Sequence, residues 1–232
     1  MRNNKSKKDV GAVKSKSKVS GNSRFHVEFK NSSQKLAWSA FEQHDILFMS
    51  GIAGCGKTYL AMAFAINEIL SKNKNKIILT RPIVESGEHL GFLPGDFQEK
   101  VNPYMMPLYD SINKLVGSNN PQREMIDKSI EIAPLAYLRG RTFDNAICIL
   151  DEAQNTTMTQ MKLFLTRIGN NSKMIINGDP TQSDLPYNKS SLKEVMNKLQ
   201  NVPGISILEF DTTCVVRNPI ISKLLKNLDE ES

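Results

Sequence analysis

Residues 51–58 read Gly51-Ile-Ala-Gly-Cys-Gly-Lys-Thr58, a complete GxxxxGK[ST] phosphate loop. An apolar run, Ile46-Leu-Phe-Met49, precedes it, and a helical pattern, Tyr59-Leu-Ala-Met-Ala-Phe-Ala-Ile66, follows it. Strand, loop and helix in that order are the context the motif requires. Glycine at 51, 54 and 56 lets the backbone bend and bring its N–H groups against phosphate oxygens. A helix starting near Lys57 aims its positive dipole end at the same phosphates. Lys57 is expected to reach the β- and γ-phosphates, and the Thr58 hydroxyl to ligate Mg²⁺. The stretch predicts a nucleoside triphosphate site.

A carboxylate pair says what happens to that nucleotide. Ala146-Ile-Cys-Ile-Leu150 is a short unbroken apolar run, as expected of a buried parallel strand. Asp151-Glu152 sits at its end. Ligands in open α/β sheets bind beyond the carboxyl ends of the strands, which brings both carboxylates to the phosphates. Asp151 is expected to hold Mg²⁺, directly or through water, leaving Glu152 to orient and deprotonate the attacking water. The plain alternative is an acidic cap for a helix beginning near Thr156.

A further strand, Lys173-Met-Ile-Ile176, leads into Asn177-Gly-Asp-Pro-Thr-Gln182. Gly178 and Pro180 mark a tight turn that presents Gln182 beside the Asp151 strand. A neutral amide there can donate to a γ-phosphate and accept from the attacking water, and so sense the γ-phosphate. An exposed surface turn is the alternative. Cys55 lies beside Lys57 and a helix N-terminus, so its thiol is expected to face the nucleotide with a depressed pKa.

These pieces resemble the PhoH family of P-loop ATPases, related to superfamily 1 helicase cores. The resemblance spans about residues 25–227. It rests on Gln34, Gly54-Cys-Gly-Lys-Thr-Tyr-Leu-Ala61, Thr80-Arg-Pro82, Glu85-Ser-Gly-Glu88 and Leu90-Gly-Phe-Leu-Pro-Gly-Asp96. Leu138-Arg-Gly-Arg-Thr-Phe143, Asp151-Glu-Ala-Gln-Asn155, Phe164-Leu-Thr-Arg-Ile-Gly169, Gly178-Asp179, Gln182, Asp184-Leu-Pro186 and Val215-Val-Arg217 complete it. Asn218 stands where the family usually has His, and Phe210-Asp-Thr-Thr-Cys214 before it is unusual. The resemblance implies ATP hydrolysis, a single-stranded nucleic-acid partner (RNA especially), and a ring of subunits such as a hexamer. It places Gln34 against the adenine, with Gly51, Ile52, Ala53, Gly54, Cys55, Gly56, Lys57, Thr58 and Tyr59 around the phosphates. Trp38, one helical turn after Gln34, either reports on that site or packs on the sheet.

Composition sets bounds. A chain of 232 residues suits one domain with a sizeable core. No apolar run approaches the ~18 residues of a membrane span. The N-terminus is basic with no apolar stretch behind it, which speaks against a signal peptide. Cys55, Cys148 and Cys214 show no paired or metal-ligand spacing and read as reduced thiols of a cytoplasmic protein. Residues 1–24 hold eight of the 30 Lys and Arg but one of the 24 Asp and Glu. The formal +6 therefore belongs to this Lys/Ser-rich tail, which is too polar to fold and should be disordered ahead of a P-loop ATPase domain over 25–228. A basic arm attracts nucleic acid through non-specific phosphate contacts, or simply solubilises.

Between Thr80 and Phe143 lies an insertion too long for a plain crossover, with a helix expected over 101–116. Thr80-Arg81-Pro82 ends a strand with a base and a hydroxyl suited to a phosphate backbone, and Arg139 and Arg141 add charge. Phe92 and Phe97 either stack on bases or close the insertion's own small core. Met161, Phe164, Leu165 and Ile168 repeat at helical spacing and read as core.

The fold expected is a three-layer α/β, RecA-like P-loop NTPase domain with a mostly parallel sheet. Strands are expected near 45–50, 76–80, 146–150, 173–177 and 205–209. One lobe lacks an arginine finger of its own, and Arg217 is the candidate to supply one to a neighbouring subunit. Two other functions fit the same loop: a P-loop kinase of a small substrate, and a nucleotide-gated nucleic-acid-binding module with little turnover.

Overall fold

The computed structural model describes residues 27, 29–83, 97–117, 119–186 and 189–214. The basic tail, Phe92, Arg217 and Asn218 lie outside the described residues.

Six strands form one sheet: β1 (Ile46–Gly51), β2 (Lys76–Arg81), β3 (Ile130–Pro134), β4 (Ala146–Leu150), β5 (Lys173–Gly178) and β6 (Ile205–Phe210). Their order is β3-β2-β4-β5-β1-β6, and every pairing is parallel. The five expected strands stand within a residue of their expected bounds. The sixth, β3, lies inside the insertion. It is short, carries Glu131 and closes on Pro134, which suits an edge strand but gives little periodic signal.

Alternation along the strands builds two cores. Leu47, Met49, Ile77, Leu79, Ile147 and Ile149 point to one face, where α1 (Ser32–Gln43), α2 (Lys57–Leu70), α3 (Phe97–Val116) and α4 (Arg123–Ser129) pack. Phe48, Ile78, Cys148, Leu150 and Ile176 point to the other, under α5 (Met158–Leu165) and α6 (Leu192–Leu199). Three layers follow, as expected. Met161 and Phe164 are fully buried in the second core.

The helix after the phosphate loop is buried nearly all round, from Leu60 to Asn67 and at Ile69 and Leu70. It lies under the sheet with α1, α3 and α4 against it. Trp38 packs among Phe29, Phe41 and Phe64, edge-on to Phe64 with centroids 5.1 Å apart, so it belongs to this core. α3 starts four residues earlier than the 101–116 expected and contains Pro103 and Pro107. Each proline removes a helical hydrogen bond. Burial of Met105, Leu108 and Ile112 beside α2 offsets that loss.

The strand order positions the site. β5 stands between the phosphate-loop strand β1 and the Asp151 strand β4. The loop after β1, the turn after β5 and the Asp151-Glu152 pair after β4 therefore emerge side by side, at the carboxyl edge of a parallel sheet.

Candidate active site

The phosphate loop takes its shape from glycine. Gly51, Gly54 and Gly56 have φ of 134°, 94° and 81°. At Gly51 a Cβ would lie 2.1 Å from the Phe210 carbonyl oxygen, so only glycine fits between β1 and β6. Gly56 begins α2, and its carbonyl accepts from the Leu60 N–H at 2.9 Å. Lys57 Nζ donates to the Gly51 and Ile52 carbonyls at 2.6 and 2.9 Å, folded back along its own loop. Burial pulls its amine below the ordinary lysine value, while Cys55, Asp179, Glu152 and Asp151 oppose that shift.

Thr58 Oγ1 donates to Asp151 Oδ1 at 2.8 Å, so the hydroxyl and carboxylate expected to share a metal already touch. Asp151 is buried, and Asn177 Nδ2 donates to the same Oδ1 at 3.4 Å. Burial raises the Asp151 carboxyl above its usual range, Glu152 adds to the rise, and Thr58, Arg81 and Asn177 hold it down. The other Asn177 atom, Oδ1, is buried and makes no hydrogen bond. Among the described residues no cluster of three or more His, Cys, Asp or Glu is placed to hold an ion. Mg²⁺ does not require one: it commonly takes one or two carboxylates, water and substrate phosphates. Thr58, Asp151 and the unpartnered Asn177 oxygen fit that demand.

Glu152 follows β4 in left-handed backbone, φ 54° and ψ 43°, a conformation uncommon for non-glycine residues that it shares with Lys72, Asn145 and Asn171 among the described residues. Gln154 Nε2 donates to Glu152 Oε2 at 2.5 Å, and Arg81 lies 3.4 Å from Oε1. Gln154 in turn accepts from the Asp179 N–H at 3.0 Å. The Asp179 carbonyl accepts from the Gln182 N–H at 3.1 Å. A continuous chain of contacts thus runs from Glu152 to the turn that carries Gln182. Gly178 leaves room for it, since a Cβ there would press on the Leu192 side chain at 2.5 Å and Gln154 Oε1 at 3.0 Å.

These groups enclose one cleft of ≈ 320 Å³, lined by Ala53, Gly54, Gly56, Lys57, Thr58, Tyr59, Asp151, Glu152, Asn177, Gly178, Asp179 and Gln182. Of the residues expected at the phosphates, Gly51, Ile52 and Cys55 do not line it. Gly51 and Ile52 act through their carbonyls on Lys57. Gln34 is buried behind the loop, where its Nε2 donates to the Cys55 carbonyl at 3.3 Å and its Oε1 accepts from the Lys30 N–H at 2.8 Å. It braces the loop from outside.

Three expectations need correction. The Cys55 thiol is fully buried and lies 3.7 Å from the Asp211 carbonyl oxygen, away from the cleft. Burial pushes it up, not down, with Lys57 pulling the other way and Cys214 adding to the rise. The Thr80 hydroxyl is fully buried and unpartnered, and Pro82 is buried too, so neither offers a surface to a phosphate backbone. Arg141 is taken: its fork meets Glu131 at 2.5 and 2.9 Å, and its guanidinium lies 4.6 Å over the Phe143 ring. Arg139 and Arg141 line a separate cleft of ≈ 770 Å³ beside β3, with Tyr109 and Tyr137, and there Arg139 is exposed.

Two site residues escaped the sequence reading. Asn177 lies in the quoted turn, but its place one strand over from Asp151 gives it a role. Gln154 sits two residues past Glu152, and only the β4–β5 adjacency shows that it bridges to Asp179.

Among the described residues no helix is long and apolar enough to cross a membrane. Residues 26–229 match the PhoH family, described as PhoH-like protein. The PhoH-like protein of Bacillus subtilis (strain 168) is 50% identical over 207 residues, covering 89% of this chain and 65% of its own length. Protein PhoH of Escherichia coli (strain K12) is 43% identical over 200 residues, covering 84% of this chain and 56% of its own. The chain thus spans just over half to about two thirds of the length of these relatives. Among solved structures, the large terminase of a thermophilic bacteriophage aligns with a TM-score of 0.49 and 12% identity, over 84% of this chain and 49% of that one. The Sulfolobus solfataricus SWI2/SNF2 ATPase core, in complex with dsDNA, aligns with a TM-score of 0.46 and 11% identity, over 86% of this chain and 52% of that one. A P-loop site on an all-parallel sheet, a family match over nearly the whole chain and relatives at this identity lead to one conclusion: the chain belongs to the PhoH-like protein family.

Proposed function

We propose that this protein binds ATP with Mg²⁺ and hydrolyses it to ADP and phosphate, coupled to binding or remodelling of single-stranded RNA or DNA. The observation that carries the proposal is the convergence of Lys57, Thr58, Asp151, Glu152 and Gln182 on one cleft. Lys57 offers charge to the β- and γ-phosphates. Thr58 and Asp151, with Asn177 behind them, are placed to hold Mg²⁺, which neutralises developing charge on the transferring group. Glu152 is the base for water. Gln182 orients that water and reports the γ-phosphate.

Nucleic acid enters as partner through charge. The tail carries eight basic residues against one acidic, Arg139 is exposed, and Arg81 ends β2 beside the site. In this reading an arginine finger from a neighbouring subunit of a ring, with Arg217 as candidate, completes the ATP site. Three free thiols fit a reducing, cytoplasmic setting.

ATP turnover with and without single-stranded RNA and DNA tests this reading, with Glu152→Gln as control. Phosphate release that nucleic acid accelerates and Glu152→Gln abolishes is the expected result. Turnover only in the presence of a small acceptor would replace hydrolysis by kinase chemistry. One observation favours a second reading, a nucleotide-gated binding module with little turnover: both Glu152 carboxylate oxygens are already engaged.

A further inference from the structure

β2 and β4 are neighbours, with Thr80 opposite Leu150, and the Asp151 N–H donates to the Thr80 carbonyl at 2.9 Å. Arg81 closes β2, Glu152 stands two residues past the end of β4, and their side chains meet just beyond the ladder. Glu152 Oε2 is held by Gln154, which is itself buried and anchored on the Asp179 N–H. Oε1 faces the Arg81 guanidinium. A general base needs a free lone pair within hydrogen-bond reach of its water. Gln154 takes one lone pair of Oε2, and the Arg81 guanidinium stands against Oε1, the oxygen left to meet a water.

We propose that Arg81 is a latch on Glu152, and that a backbone phosphate of single-stranded nucleic acid opens it by capturing the guanidinium. Arg81 is then a positioning residue, acting through Glu152. The inference rests on the ATPase reading above and adds the means by which nucleic acid controls it.

Geometry suits a latch that opens. The Arg81–Glu152 contact is long, 3.4 Å, with the side chains 24% and 38% exposed. The Arg141–Glu131 pair is bidentate at 2.5 and 2.9 Å, the form of a permanent brace. A phosphodiester can offer Arg81 the two-pronged acceptor that Glu152 does not. Gln154 keeps its grip on Oε2 when Arg81 leaves, so Oε1 is freed while the carboxylate stays in place. The same Gln154 reaches the Gln182 turn through Asp179, so the base and the γ-phosphate sensor share one support.

The test is steady-state ATP turnover by the full chain as wild type, Arg81→Ala and Arg81→Lys, each with ATP alone and with oligo(U) or oligo(dT). Binding of a fluorescent ATP analogue reports whether each variant keeps its site. Wild type should turn over slowly alone and roughly tenfold faster with nucleic acid, a coupling of ordinary size. Arg81→Ala should run severalfold faster than wild type without nucleic acid, through kcat with KM for ATP little changed, and should gain nothing when oligonucleotide is added. Arg81→Lys, which keeps the cation and loses the fork, should fall between. A loss of packing alone would lower kcat and weaken the analogue together.

Either variant that binds the analogue and turns over ATP at or below the wild-type basal rate overturns the latch. Stimulation that survives in Arg81→Ala overturns it as well. If the γ-phosphate of ATP itself were the captor, Arg81→Ala would slow turnover with ATP alone, which separates that source of phosphate from nucleic acid. Wild type without turnover under any condition sinks the ATPase reading and the latch with it. Stimulated wild type with an unaltered Arg81→Ala sinks the latch only.

Discussion

Thr58 Oγ1 donates to Asp151 Oδ1 at 2.8 Å, tying the first turn of α2 to the end of β4 across the strand between them. The bond holds a hydroxyl and a carboxylate at the spacing a small hard cation needs. Thr58→Ala and Asp151→Asn should therefore lose most of the Mg²⁺ contribution to nucleotide affinity, about 10–100-fold. Titration of ATP with and without Mg²⁺ measures it. A variant whose Mg²⁺ dependence matches wild type would remove that residue from the metal site.

Lys57 and Glu152 line the same cleft, and the proposed mechanism has them act at different stages. Lys57→Ala should bind ATP at least about tenfold more weakly, because it removes a ground-state contact. Glu152→Gln should bind ATP normally and release phosphate about 10²–10⁴-fold more slowly, because it removes a group acting only on water. Equilibrium binding and single-turnover assays separate the two. Equal loss of binding in both variants contradicts this division.

Gly51 combines φ 134° with a Phe210 carbonyl oxygen only 2.1 Å from where a Cβ would stand. Backbone must move to accommodate alanine, since the obstacle is the neighbouring strand. Gly51→Ala should cost about 2–4 kcal/mol of stability, read from the denaturation midpoint. A change near zero would mean that β1 and β6 separate easily.

The buried Cys55 thiol should be a poor nucleophile despite its place in the phosphate loop. Iodoacetamide at neutral pH should label it slowly in the folded protein and fast in denaturant, as read by peptide mass spectrometry. Saturating ATP and Mg²⁺ should change the folded rate little. Rapid labelling that ATP suppresses would put the thiol back at the nucleotide.

Arg141 should matter for stability and Arg139 for nucleic acid. The hydrogen bond from Arg141 holds the Glu131 carboxyl below its ordinary value of 4.5, against burial, with the Arg141 and Lys76 charges assisting. A depressed carboxyl stabilises the fold above its unfolded pKa, and that contribution is lost as pH falls through the folded value. Acid unfolding curves should therefore show a contribution of about 1 kcal/mol or less that disappears in Arg141→Ala. Nucleic-acid affinity should stay near wild type in Arg141→Ala. In Arg139→Ala it should weaken, with a salt slope shallower by about 1.

The sequence alone determined the sheet's main strands, the phosphate loop and the Asp151-Glu152 pair. Each is written locally: glycines at the tight bends, a lysine and threonine at the helix start, unbroken apolar runs for strands buried on both faces. The family resemblance was legible for the same reason, because its motifs are contiguous. Gln182 too could be placed, since its turn follows directly from a readable strand.

What only the tertiary structure decided are pairings between segments far apart in the chain. Thr80 looks like a free hydroxyl at a strand end until the neighbouring Asp151 N–H takes its carbonyl and its side chain proves fully buried. Arg81 meets Glu152 because β2 lies beside β4. Cys55 faces Asp211 at the end of β6, not the nucleotide. Local spacing states which residues share a strand or a helix face. Which strand lies beside which follows from how the two cores close, and that placement alone decides whether an arginine is free for a ligand or already holds a carboxylate.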